Sequence, residues 1–148
     1  LTTDPVRILA VDWGERRVGL AVSDPTGIIA TGLPTRVVRG REDALEQVAA
    51  VAVEREVARI VVGLPLLMSG ERGAAALAAE AFAKSLAART GLPVETYDER
   101  LTSVIGTRRI HETGGRPSRS KGRVDQQAAV ALLESFLQRL ARRDPESP

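Results

Sequence analysis

Cysteine is absent from these 148 residues, and histidine occurs once, at position 111. Disulfides and thiolate metal sites are thereby excluded, and so is a zinc site built from several histidines. Aromatics are scarce: two Phe, one Tyr and one Trp. So few rings leave an aromatic platform for unpaired bases unsupported, and polyanion recognition would rest on backbone charge and shape. No apolar run approaches the roughly 20 residues that span a bilayer. The opening residues, Leu1-Thr2-Thr3-Asp4-Pro5, lack the charged and apolar regions of a signal peptide. A cytoplasmic protein with no membrane partner is expected. Lysine is nearly absent as well: 19 of the 21 basic residues are arginine, a ratio that GC-rich codon usage explains.

What is present is ordinary for a globular chain, with 43% hydrophobic and 27% charged residues. The length is most simply one domain, residues 1–148 with an ordered core of about 6–141, and is enough to bury a real core. The net charge is +2, yet the basic residues cluster. Arg116, Arg119, Lys121 and Arg123 crowd one stretch, and Arg39 and Arg41 form a smaller pair. Such clusters mark polyanion binding when they lie beside a site.

The first third reads as three strands: residues 6–12, residues 17–23, and an interrupted third from about 28 to 38. The turn Asp24-Pro25-Thr26-Gly27 separates the second from the third. Short connections imply an antiparallel meander. The remainder alternates. Residues 41–56 read as helix with Leu45, Val48 and Ala52 on one stripe. Ile60-Val61-Val62-Gly63-Leu64 is a wholly apolar central strand. Residues 72–90 form a helix with the stripe Ala75, Ala78, Ala79, Phe82 and Leu86, stopped by Gly91. A strand follows over residues 93–97. Thr102 can cap a helix ending at Gly114-Gly115, residues 114–123 read as a loop, and residues 124–141 as the last helix. The expected fold is α/β: a mixed sheet of three antiparallel strands and then αβ units, with helices on both faces.

Three acids stand at the edges of these elements. Asp12 ends the apolar run Ile8-Leu9-Ala10-Val11, where a carboxylate is costly unless its charge is compensated. Glu99 follows the strand Val94-Glu95-Thr96-Tyr97. Asp125 precedes Ala128 and Ala129 by three and four residues, which puts it on the core-facing stripe of the last helix, in its first turn. Clustered carboxylates repel one another unless cations intervene, and oxygen ligands suit Mg²⁺ or Mn²⁺. A pair of such ions would activate water against a phosphodiester. Each acid also has a plain structural reading: Asp12 in a turn beside glycine, Asp125 at a helix N-terminus, and Asp98-Glu99-Arg100 as a solvated turn with an internal ion pair. The conjunction of all three favours a metal site.

The chain resembles the bacterial YqgF/RuvX family of RNase H-like fold. The resemblance is carried by Ile8-Leu9-Ala10-Val11-Asp12-Trp13-Gly14 with Arg17-Val18-Gly19-Leu20-Ala21-Val22-Ser23-Asp24, by Val61-Val62-Gly63-Leu64-Pro65-Leu66, by Asp98-Glu99-Arg100-Leu101-Thr102, and by Val124-Asp125 with Ala128-Ala129. It spans about residues 6 to 140. It implies a divalent-metal-dependent nuclease, with precursor 16S ribosomal RNA processing at the 5′ end or Holliday-junction resolution as its task. The family's three acidic positions fall on Asp12, Glu99 and Asp125. Two departures are visible. The loop after Pro65 reads Leu67-Met68-Ser69-Gly70 where Asn, Met and Asp are usual, and Trp13 stands where a smaller apolar residue is common. Strand alternation puts Trp13 opposite Asp12, which favours core packing over base stacking.

Basic residues around the site are the candidate nucleic-acid contacts: Arg17 in the first hairpin, Arg100, and the segment holding Arg116, Arg119, Lys121 and Arg123. Arg100 has a competing role as partner of Asp98, and the basic segment one as a solubilising loop. Ser23 and Asp24 read as the start of a turn, and His111 as part of a solvated face rather than a general base. Two other functions compete with a nuclease. A nucleotide phosphotransferase is one, because the Asp-x-Gly hairpin also resembles the phosphate loop of actin- and Hsp70-like proteins, although those need two such domains. A non-catalytic nucleic-acid scaffold is the other, and three acids facing phosphates argue against it. A junction resolvase would need paired active sites and hence a homodimer.

Overall fold

A computed structural model describes residues 7–102 and 118–143. Five strands form one sheet: β1 (Ile8–Trp13), β2 (Arg17–Ser23), β3 (Ala30–Val37), β4 (Arg59–Leu64) and β5 (Val94–Asp98), in the order β3-β2-β1-β4-β5. β1, β2 and β3 pair antiparallel, and β4 and β5 run parallel to β1. Strands β1 and β4 are central, and their near-continuous apolar runs fit burial on both faces. Pro34 lies in the edge strand β3, where the register shifts opposite Gly19, a place that tolerates a residue without an N–H.

Helices α1 (Arg41–Glu54) and α2 (Ala74–Thr90) cover one face of the sheet. Helix α3 (Ser118–Arg143) covers the other. The first face buries Leu9, Val11, Leu20 and Val62 against Leu45, Val48, Phe82 and Leu86. Phe82 is fully buried and stacks on Trp13 with ring centres 5.0 Å apart and planes 13° apart, so Trp13 is a packing residue. Burial of one such ring stabilises by roughly 1.5–3 kcal/mol. The second face joins Ile8, Ala10, Ala21 and Val61 to Ala129, Leu132, Leu133 and Phe136.

The turn after β2 is tied by Asp24, whose Oδ1 accepts from Ile28 N at 2.9 Å and Ile29 N at 2.8 Å. Those bonds hold its carboxyl well below the usual range, with the Thr26 hydroxyl contributing most. The Ser23 hydroxyl accepts from Ile8 N at 2.8 Å. Both residues lie at the sheet end opposite Asp12 and serve the turn.

Four expectations change. The α2 stripe turns slightly: Ala76 and Ala83 are buried, while Ala75 and Leu77 are exposed and Ala78 is half-buried, so the buried face runs through Ala76, Ala79, Phe82, Ala83 and Leu86. Glu99 opens a 3₁₀ turn, Glu99–Leu101, and Thr102 ends it, its hydroxyl donating to Glu99 O at 3.0 Å. The expected helix after Thr102 lies outside the described residues. The stretch 114–123 is not all loop, since α3 already begins at Ser118. The lone Gly122 costs a helix only about 1 kcal/mol, which α3's long packed face offsets. Asp125 is therefore the eighth residue of α3, two turns in, and not in its first turn. A helix-end role for Asp125 is removed with it.

Candidate active site

Asp12 and Ser23 are the buried polar residues among those described. Asp12 is 9% exposed at the carboxyl end of β1, on the face that α3 covers. Its neighbour in register on β2 is Gly19. On the other side, β1 and β4 pair from Ile8↔Arg59 to Val11↔Val62, and one further step sets Gly63 beside Asp12. A row Gly19–Asp12–Gly63 thus crosses three strands with one side chain in the middle.

Each flanking glycine gives space to an acid. A Cβ on Gly19 would strike the backbone carbonyl of Asp125, with the carbonyl carbon at 2.7 Å and Asp125 Cβ at 3.2 Å. A Cβ on Gly63 would collide with Glu99 Oε2 and lie 3.1 Å from its Cδ. Asp125 therefore lies over β2, Glu99 over β4, and Asp12 between them. Strand spacing puts Gly19 and Gly63 about 10 Å apart. The three acids thus lie over three neighbouring strands at the end of the sheet where β1 finishes.

Arg17 completes this edge. Its Nε donates to Asp125 Oδ2 at 2.8 Å. Arg17, expected as a nucleic-acid contact, has an acid of the candidate site as its partner. The other oxygen, Oδ1, accepts no hydrogen bond among the described residues. Gln126 Nε2 donates to Leu33 O at 2.8 Å, and its side chain fills the space above Gly32, which docks α3 at the register that brings Asp125 to Gly19.

On the Glu99 side, Arg100 belongs to Asp98. Its Nη2 lies 2.8 Å from Asp98 Oδ2, and its backbone N donates to Asp98 Oδ1 at 2.9 Å. These bonds pull the Asp98 carboxyl down from its ordinary value, with the Arg100 side chain the main cause, and raise the Arg100 guanidinium. Arg100 Nη1 also reaches Met68 O at 3.4 Å. It thereby fastens the loop after β4, which turns at Gly70 with φ +94° and a 2.7 Å bond from Gly70 N to Leu67 O. Leu67 and Met68 are exposed in that loop.

Arg123 is exposed at the end of the basic segment. Arg116 and His111 lie outside the described residues, and so do the side chains of Arg119 and Lys121. Among the described residues, no group of three or more Asp, Glu, His or Cys closes around a single metal position. The acids instead spread along the row, Asp12 between the others, with Asp125 leaning to Arg17. Sequence reasoning missed Gly19, Gly63 and the Arg17–Asp125 pair. The signal for the glycines was there: a lone glycine inside an apolar strand marks close approach of another group.

The topology with acids at the carboxyl edge of β1 is that of the RNase H-like fold. RuvC of T. thermophilus, solved in complex with a Holliday junction substrate, shares it with a TM-score of 0.59 and 18% identity, over 92% of this chain and 96% of that one. The sequence profile of the RuvX family, described as Holliday junction resolvase, matches residues 6–139. This chain belongs to the RuvX family. A Chloroflexus aggregans relative called "Putative pre-16S rRNA nuclease" is 45% identical over 138 residues, covering 93% of this chain and 96% of the relative. One from Anaeromyxobacter sp. strain Fw109-5, with the same name, is 44% identical over 134 residues, covering 89% and 96%. The chain is a nuclease, an enzyme that hydrolyses phosphodiester bonds in nucleic acid. No helix among the described residues is long and apolar enough to cross a membrane.

Proposed function

We propose that this chain processes the 5′ end of precursor 16S rRNA in the cytoplasm, hydrolysing the phosphodiester at the edge formed by Asp12, Glu99 and Asp125. The observation that carries this reading is the Gly19–Asp12–Gly63 row, in which two absent side chains make room for two further acids. The donor set fits a hard divalent cation: carboxylate oxygens only, with no histidine or cysteine. Asp12 would be shared, with Glu99 and the Oδ1 side of Asp125 as outer ligands for Mg²⁺ or Mn²⁺. Bound there, such ions supply an activated water and neutralise charge on the scissile phosphate. Arg17 holds the Asp125 carboxylate in orientation. Arg17's remaining guanidinium donors, Arg100, Arg116, Arg119, Lys121 and Arg123 supply positive charge for the phosphate backbone.

The substrate assignment rests on relatives that carry the pre-16S rRNA name over most of both chains. The family description supports a second reading, resolution of a four-way DNA junction by a homodimer with paired sites. The test is a cleavage panel of precursor rRNA, single-stranded DNA, duplex and four-way junction with Mg²⁺, Mn²⁺ or EDTA. Trimming of the rRNA precursor, abolished by EDTA, is expected. Cutting of the junction alone, by a protein that sediments as a dimer, would replace the first reading with the second. Full activity in EDTA would remove the metal mechanism from both.

A further inference from the structure

On the other face of the sheet, behind the same edge, lies a cleft of about 640 Å³ between the β1–β2 hairpin and the start of α1. Its floor is apolar, formed by Trp13 with Val37 at the wall. Its rim carries Arg16, Arg39 and Arg41 against a single acid, Glu15. Some arginines elsewhere are held by acids: Arg59 by Glu95, Arg72 by Glu80, Arg89 by Glu42 and Arg100 by Asp98. Arg16 and Arg39 make no salt bridge among the described residues, although the Asp43 carboxylate, which accepts from Arg39 N at 2.8 Å, stands near Arg39. Arg41 is fixed in place, its Nη2 donating to Ser85 Oγ at 2.6 Å and Ala81 O at 3.3 Å. The cleft is also braced, since Val38 N donates to Arg16 O at 2.9 Å and ties its two walls together.

This charge has a direct connection to the catalytic edge. Trp13 follows Asp12, and Arg16 precedes Arg17, which holds Asp125. The hairpin of residues 13–17 is thus a ridge with the acids on one side and the arginine cleft on the other. We propose that the cleft binds the phosphodiester backbone of the substrate strand beyond the scissile bond, as the strand passes over the hairpin. The guanidinium groups take the phosphates, and the exposed Val37 surface takes a sugar. This inference rests on the nuclease reading but concerns a different face of the molecule. It gives the enzyme a preference for substrates long enough to reach both faces.

The test uses the full chain carrying Asp12→Asn, so that bound nucleic acid stays intact, and measures anisotropy of a labelled 25-nucleotide RNA against KCl concentration. Adding Arg16→Gln and Arg39→Gln is expected to weaken binding several-fold. It should also flatten the slope of log K against log [KCl] by about 1.4, at about 0.7 per lost phosphate contact on a single strand. The charge-matched control, Lys84→Gln with Arg142→Gln, is expected to leave the slope near the parent value. A slope unchanged by the Arg16/Arg39 pair, or equally changed by the control, would overturn the cleft. So would competition by polyglutamate equal to that by RNA. Absence of RNA binding in the parent would instead overturn the nuclease reading itself. With Asp12 restored, the Arg16/Arg39 variant is expected to cut a long RNA more slowly and a trinucleotide at the parent rate. Equal loss on both lengths would also refute the proposal. Both arginines are exposed, and unchanged thermal melting confirms that the variants fold.

Discussion

Arg17 Nε and Asp125 Oδ2 lie 2.8 Å apart, joining β2 to α3 across 108 positions of sequence. The side chains are 34% and 18% exposed. A pair so placed is worth only about 0–1 kcal/mol to stability. Its consequence is orientation: one oxygen of Asp125 is committed to Arg17, which fixes the plane of the carboxylate over Gly19. A partner that fixes a ligating carboxylate typically matters 10–100-fold for metal affinity or activity.

Arg17→Ala is therefore expected to lower cleavage by about 10–100-fold and to weaken Mn²⁺ binding in calorimetry, with melting nearly unchanged. Arg17→Lys keeps the charge but loses the planar fork, and partial recovery is expected. A variant with normal metal binding and a selective loss of RNA affinity would make Arg17 a substrate contact instead.

Asp12→Asn keeps shape and removes charge. Cleavage is expected to fall on the order of a thousandfold, about 4 kcal/mol in transition-state stabilisation. Melting in EDTA is expected to hold or rise, because one of three neighbouring negative charges is gone. A destabilised variant that still cleaves in its folded fraction would make Asp12 a structural residue.

The two glycines should fail differently. Gly63→Ala meets the side-chain end of Glu99, which can swing away, so the fold survives and cleavage drops. Gly19→Ala meets the Asp125 backbone, so α3 itself must shift, at a cost of about 1–3 kcal/mol as for an overpacked core. Paired melting and rate measurements check the order: Gly19→Ala loses more stability than Gly63→Ala. Equal melting temperatures would contradict the close approach of α3.

Asp98 carries a pH signature. Arg100 lowers its carboxyl in the folded state, so the pairing stabilises the protein above the unfolded value, near 3.8, and is lost as pH falls through the lower folded value. Asp98→Asn is expected to melt below the parent at pH 7, and the gap is expected to close below about pH 4. A gap of constant size across this range would mean that Asp98 acts through shape and not through charge.

Local pattern was enough for the strands and the helices on both faces, and it named Asp12, Glu99 and Asp125 as candidates. Apolar runs, alternation and turn residues act over a few positions, and Asp12 and Glu99 each sit where such a run ends or turns, while Asp125 lies two turns into α3. The stop at Gly91 was equally legible, and its φ of 74° is the left-handed value a glycine there supplies. The early start of α3 was not, because Gly122 and a run of polar residues look like loop until the helix is seen packed. Nor was the meaning of Gly19 and Gly63, or the partner of Arg17. Those depend on which residues face one another across the sheet and how deeply α3 sits on it. The sequence by itself determined that Asp12 and Glu99 stand at element ends. Only the tertiary structure decided that Asp12 has a glycine on either side, that Asp125 and Glu99 lie over those glycines, and that Arg17 pairs with Asp125. Sheet register and helix docking join residues more than 100 positions apart, and no local propensity encodes that distance.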